Sequence, residues 1–179
     1  SYLECQDFWR ISGIERDVYL YSQPKVAIKD FRVTSTLDDT YKNGIFKLTM
    51  DIRNTGSQTS KDYIIGYKVF DPKTNKVIAE SEKNSAFNAN STISLFGHTE
   101  IEIPDVKTWT SEHPNLYKLL MYIKNGEKIV EMVPFNIGFR RIEIKPIEQK
   151  AANGQPYVCL FINGQPLKLK GVNIHEHNP

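Results

Sequence analysis

Phe46-Lys47-Leu48-Thr49-Met50-Asp51-Ile52 alternates apolar and polar residues without a break. A period of two puts Phe46, Leu48, Met50 and Ile52 on one face and Lys47, Thr49 and Asp51 on the other, which is the pattern of a strand half buried in a sheet. Asn54-Thr55-Gly56-Ser57 ends the run, and Ile65, Tyr67 and Val69 resume it before Asp71-Pro72-Lys73-Thr74-Asn75 turns the chain. Residues 77–87, 93–103, 116–123 and 128–137 supply further strands. The last two are joined through Asn125-Gly126, a two-residue hairpin signal because both residue types accept positive φ. With 26–37 this gives about seven strands in roughly 115 residues, the count and spacing of an immunoglobulin-like β-sandwich in an all-β chain.

Helical periodicity is hard to find. Residues 106–113 are the one segment allowed a helical turn, with Asp105 and Thr108 available to cap it. Trp109 within it reads as an aromatic laid over an open end of the sandwich core rather than as a ligand platform. His98 and His113 are isolated in loop-like sequence and lack the convergent partners of a metal site. Asn90-Ser91-Thr92 fits the glycosylation triplet and is read as a turn.

Lys and Arg number 23 against 21 Asp and Glu, a net charge of +2, and the basic residues are scattered rather than gathered. That excludes the basic footprint of a nucleic-acid-binding face. Cys5 and Cys159 lie near opposite ends and read as free thiols. No apolar run approaches the roughly twenty residues that cross a bilayer, so no membrane partner is expected. The charged fraction of 25% describes an ordinary soluble surface and leaves the compartment open.

The two ends read differently from the middle. Residues 1–23 carry Trp9, Ile11, Ile14, Val18, Tyr19 and Leu20 around Gly13, as two short strands without the rest of a sheet. Beyond Gly138, the polar run from Pro146 to Gln155 reads as a linker or exposed loop. Tyr157, Cys159 and Phe161 then alternate with Val158, Leu160 and Ile162, a strand apolar on both faces that expects cover on both. Asn163-Gly164 turns it back toward Leu167, Leu169 and Val172, and the chain closes on Asn173-Ile174-His175-Glu176-His177-Asn178-Pro179. A cluster of His and Glu invites a site, but a site needs a far wall, so the chain is expected to be a piece of something larger.

Four stretches carry a resemblance that fits this expectation. Asp7 to Ile14 with Arg16-Asp17-Val18 resembles the end of the sugar-binding jelly-roll domain of family 2 glycoside hydrolases, specifically the β-galactosidases. Trp109 with Pro114, Leu116, Tyr117 and Leu119 is similar to their late-sandwich pattern. Gly138-Phe139-Arg140 with Ile142-Glu143 resembles their sandwich-to-barrel junction. Asn163 to Pro166 with Leu169 to Asn173 and His175-Glu176-His177 resembles the opening of their catalytic barrel. The resemblance implies three parts: 1–23 ending the jelly roll, 24–139 as the sandwich, and 140–179 as linker, hairpin and first strand of a (β/α)8 barrel.

The resemblance also implies roles. Asp17 is similar to a carboxylate that reaches the galactosyl hydroxyls and a sodium ion. His175 is similar to a histidine that hydrogen-bonds the sugar, with a donor and an acceptor in one rigid ring. Asn173, Glu176 and His177 would support it, and His175 with His177 alternatively makes half of a metal site. Ile174 and Asn178 stand where close relatives often carry Arg and His, so neighbouring subsites differ. Retaining glycosidases use two carboxyl groups about 5 to 5.5 Å apart, and in this family both are glutamates of later barrel strands. Glu176 points away from its two histidine neighbours in an extended run and cannot replace that pair.

The chain is therefore expected to be an inactive structural segment of a retaining β-galactosidase, with the remaining domains and a β-galactoside as partners. No cofactor is expected in the segment itself, and sodium and magnesium are implied for the parent. Unpaired strand edges would favour self-association of the piece. The alternatives are an autonomous carbohydrate-binding or adhesion module, or the same segment of a β-glucuronidase or β-mannosidase.

Overall fold

The computed structural model describes Gly13, Ile14, residues 16–97 and residues 100–173. Residues 23–167 form one compact unit, and residues 1–22 and 168–179 fall in a second. Among the described residues all regular structure is strand.

The run that opened the sequence reading is the centre of the first sheet. β2 (Gly44–Asn54) pairs antiparallel with β1 (Val26–Leu37) along one edge, in register from Val26 opposite Asn54 to Leu37 opposite Gly44, with a bulge between Ile28 and Asp30. Its other edge is shared by β5 (Ser91–Leu95) and β6 (Glu100–Ile103). The second sheet has the order β4-β3-β7-β8, from β3 (Ser60–Phe70), β4 (Val77–Phe87), β7 (Tyr117–Asn125) and β8 (Lys128–Ile137), all antiparallel.

The inner faces meet as the alternation requires. Phe46, Leu48, Met50 and Ile52 are buried against Ile65, Val69, Leu119, Met121 and Ile123 in one continuous core. Each such side chain contributes roughly 2 kcal/mol by leaving water. The architecture is the expected immunoglobulin-like β-sandwich.

Several local expectations are corrected. The segment 93–103 is two strands rather than one, because Phe96 takes φ +67° and breaks the run. Its ring is buried and meets Tyr67 edge-on at 5.2 Å, a contact that offsets an unusual backbone. The β7–β8 turn lies at Gly126-Glu127, since Asn125 pairs with Lys128. Only Gly126 has positive φ, at +58°, the pattern of a II′ turn.

Residues 106–113 form no helical turn. Thr108 instead bridges Phe139, and the Trp109 amide donates to the Phe139 carbonyl at 2.8 Å, so the backbone groups a helix would use are committed across the fold. Residues 16–24, expected to hold part of two short strands, contain no strand.

Half of the stretch expected as linker or loop, residues 146–150, is strand. β9 (Ile142–Lys150) runs through Pro146, turns at 151–155 and pairs with β10 (Pro156–Ile162), which a two-residue turn at Asn163 (φ +48°) and Gly164 (φ +77°) joins to β11 (Gln165–Pro166). Pro146 is tolerated because β9 is an edge strand with one neighbour.

One buried polar residue organises a corner of the sandwich. Asn54 has no exposed surface; its amide donates to the carbonyls of Gln58 (3.0 Å), Asn88 (3.0 Å) and Phe87 (3.3 Å), and its oxygen accepts the Gly56 amide at 2.8 Å. It ties the β2–β3 loop to the β4–β5 loop, and every polar group it carries inside is satisfied.

Candidate functional site

Among the described residues, a cluster of charged and aromatic side chains lies where the sandwich meets the β9–β10 hairpin. It begins in the β1–β2 loop. The Asp38 carboxylate accepts the Thr40 hydroxyl at 2.7 Å and the Lys42 and Asn43 amides at 3.1 and 3.2 Å. The Thr40 hydroxyl bond leads the effects that hold the Asp38 carboxyl below its usual range. This knot supports Tyr41 at φ +58°, a conformation rare for a bulky residue and maintained only where its surroundings demand it.

Tyr41 thereby presents its phenol to β9. The hydroxyl donates to Glu143 Oε2 at 2.8 Å and accepts from Lys145 Nζ at 2.8 Å. Glu143 Oε1 also meets Lys145 Nζ at 2.9 Å and Arg141 Nε at 3.1 Å, while Arg141 Nη1 reaches Asp39 Oδ1 at 2.6 Å. The Lys145 bond, then the Tyr41 bond, holds Glu143 below the usual carboxylate range. Tyr41 and then Glu143 hold Lys145 above its ordinary value, and Asp39 does the same for Arg141.

A second set of contacts closes on the hairpin turn. Asn163 exchanges two bonds with Arg141, its amide donating to the Arg141 carbonyl and its Oδ1 accepting the Arg141 amide, both at 2.9 Å. Its Nδ2 donates to the Trp109 carbonyl at 3.0 Å. The Arg140 guanidinium lies over the Trp109 ring, 4.6 Å from its centroid, and Gly138 sits against the same side chain. A platform for stacking sugars needs a free aromatic face, and Arg140 covers this one.

Chemically this cluster is saturated: its acids and bases are spent on one another. It is built to hold two pieces together. None of the residues singled out for sugar contact is among those contacts. Asp17 and Asn173 are exposed and belong to the second unit. His175, Glu176 and His177 lie outside the described residues, as do His98, Trp9 and Cys5. Cys159 is a free, half-buried thiol. Among the described residues no group of three His, Cys, Asp or Glu side chains is placed to hold a metal, and no helix is long and apolar enough to cross a membrane.

Tyr41, Asp39 and Lys145 escaped the sequence reading. The available signal was a single aromatic in the polar run Asp38-Asp39-Thr40-Tyr41-Lys42-Asn43, where a solvated loop needs none.

Fold and junction together define an antiparallel β-sandwich carrying an appended β-hairpin. Residues 26–140 match the family described as Glycosyl hydrolases family 2, and the chain belongs to that family. It is 40% identical over 178 residues to a β-galactosidase of Priestia megaterium, covering 98% of this chain and 16% of that protein. Against a β-galactosidase of Streptococcus thermophilus the identity is 35%, over 99% of this chain and 15% of the relative. The chain thus spans about a sixth of the length of these relatives. Among solved structures, a Bacteroides uniformis β-glucuronidase superimposes with TM-score 0.72 at 19% identity, covering 93% of this chain and 20% of that one. A putative β-galactosidase from Bacteroides fragilis does so with TM-score 0.63 at 15% identity, over 76% and 18%.

Proposed function

We propose that this chain is a structural segment of a retaining β-galactosidase. The parent would hydrolyse terminal β-galactosides with two barrel glutamates, one protonating the leaving oxygen and one attacking the anomeric carbon. The observation that supports this most is the 40% identity to a β-galactosidase along 98% of the chain. On this reading residues 1–23 end the sugar-binding domain, 24–139 are the spacer, and 140–179 begin the barrel.

The spacer's contribution is geometric. Catalysis depends on holding reacting groups within a fraction of an ångström, so a rigid body between two domains that share a pocket acts on rate through position. Asp17 and His175 would meet the sugar hydroxyls, the carboxylate as acceptor and the imidazole as both donor and acceptor. Asn173, Glu176 and His177 would orient His175. An exposed carboxylate such as Asp17 suits sodium as a hard oxygen donor, one of several such an ion requires; magnesium would belong to the parent's other domains.

The hairpin has a surface ready for a neighbour. Ile142, Ile144 and Val158 are exposed together on the paired strands β9 and β10, where the barrel would close over them. In the isolated chain the same face would favour self-association, which light scattering coupled to size exclusion tests; a monomer at high concentration counts against it.

A second reading, a β-glucuronidase of the same family, draws support from the superposition on the Bacteroides uniformis enzyme. Assaying the full-length parent against nitrophenyl galactoside, glucuronide and mannoside discriminates. Turnover of the galactoside alone supports the first reading, and turnover of the glucuronide alone overturns it.

A further inference from the structure

The hairpin continues from the sandwich through Gly138, Phe139 and Arg140, of which Phe139 is buried in the sandwich core. Side-chain contacts tie it back at several points, Asn163 to the Trp109 carbonyl and Arg141 to Asp39 among them, and Tyr41 adds a bridge to two charged groups of β9. Tyr41 touches Glu143 and Lys145 of β9 at once: its oxygen lies 2.8 Å from Glu143 Oε2 and 2.8 Å from Lys145 Nζ. Its ring also lies against the turn, where a Cβ on Gly164 would fall 2.7 Å from Cε2. The strained backbone at Tyr41 has a compensating purpose if the phenol must arrive at this point.

We propose that Tyr41 is a positioning residue: bridging Glu143 and Lys145, it holds the β9–β10 hairpin as one body with the sandwich and fixes the point from which the chain continues beyond Leu167. The junction is then a lock rather than a linker. Its consequence for catalysis rests on the galactosidase reading above, because the run after Leu167 is the one that leads to His175. Its consequence for the hairpin does not.

Tyr41→Phe isolates the claim, since it keeps the ring against Gly164 and removes only the bridging oxygen. In the 179-residue chain, amide hydrogen exchange is expected to lose about tenfold or more protection across 143–147 and 158–162 while β2 and β7 stay unchanged, as local opening requires. Unchanged hairpin protection, or an equal loss everywhere, overturns the lock. In the full-length parent the same substitution is expected to lower kcat/KM for a nitrophenyl galactoside by about tenfold to a hundredfold, without loss of folded protein. An active enzyme with unaltered kcat/KM overturns the positioning role. A full-length parent with no galactosidase activity refutes the galactosidase reading instead, and the exchange experiment still decides the lock.

Discussion

The ring of Tyr41 packs against Gly164 so closely that a methyl group on the glycine would lie 2.7 Å from its Cε2 carbon. Gly164 also has φ +77°, a region that disfavours any side chain. Gly164→Ala is therefore expected to cost about 1–3 kcal/mol, and the loss should concentrate in the hairpin. Urea titration with hairpin and core NMR signals followed separately checks this; coincident transitions of unchanged midpoint would contradict it.

Asn54 is the polar hub of the far corner, with three carbonyl acceptors and one amide donor around it. Asn54→Ala leaves these groups buried without partners and is expected to destabilise the sandwich by about 2–3 kcal/mol. Asn54→Asp should cost at least as much, because a carboxylate cannot donate to the three carbonyls. Chemical denaturation measures both, and a shift within experimental error in either would refute the hub.

On the outer face of the second sheet, Tyr122 lies over Gly66, where a Cβ would approach its Cζ to 2.5 Å, and its hydroxyl donates to Glu82 Oε1 at 2.7 Å. Lys124 meets the same oxygen at 2.6 Å. Burial, and then the Glu82 bond, pushes the Tyr122 phenol well above its ordinary value. Tyr122→Phe should cost about 1 kcal/mol and Gly66→Ala more, by displacing the ring as well. A thermal melt in which the glycine variant is the more stable of the two would be inconsistent with this packing.

The junction also sets a pH window. Glu143 is held below its usual value of 4.5, so its contribution is fully present above that value and is lost as pH falls through the lower folded-state value. Lys145 is held above 10.5, so its contribution is present below that value and is lost as pH rises through the higher one. The charged groups facing Glu143 are Arg141 and Lys145, with Asp39 behind Arg141. Hairpin protection should therefore be flat through neutrality and fall below about pH 4.5. In Glu143→Gln it should already be lower at neutrality and lack that acid step. An acid step of full size in the variant would assign it to another carboxyl.

Sequence pattern carried the sandwich well because its signal is a strict period. Phe46 to Ile52 alternates so regularly that face and core follow from spacing. Breaks that depend on a single tertiary contact left no such trace. Phe96 interrupts a predicted strand only because its ring finds Tyr67, and Trp109 is extended only because Phe139 accepts its amide. Pro146 looked like loop chemistry, yet an edge strand tolerates it. The Asn163-Gly164 turn was legible from two residues, whereas the Tyr41 bridge joins positions about a hundred residues apart and no local pattern could reveal it.

The central claim is that this chain lends position and sugar contacts to chemistry performed by other parts of its parent. The most direct measurement is release of nitrophenol from a nitrophenyl β-galactoside by the purified chain, across a wide range of chain concentration. The account predicts no turnover above the uncatalysed rate. Turnover that rises in proportion to the chain and disappears in Glu176→Gln would contradict it.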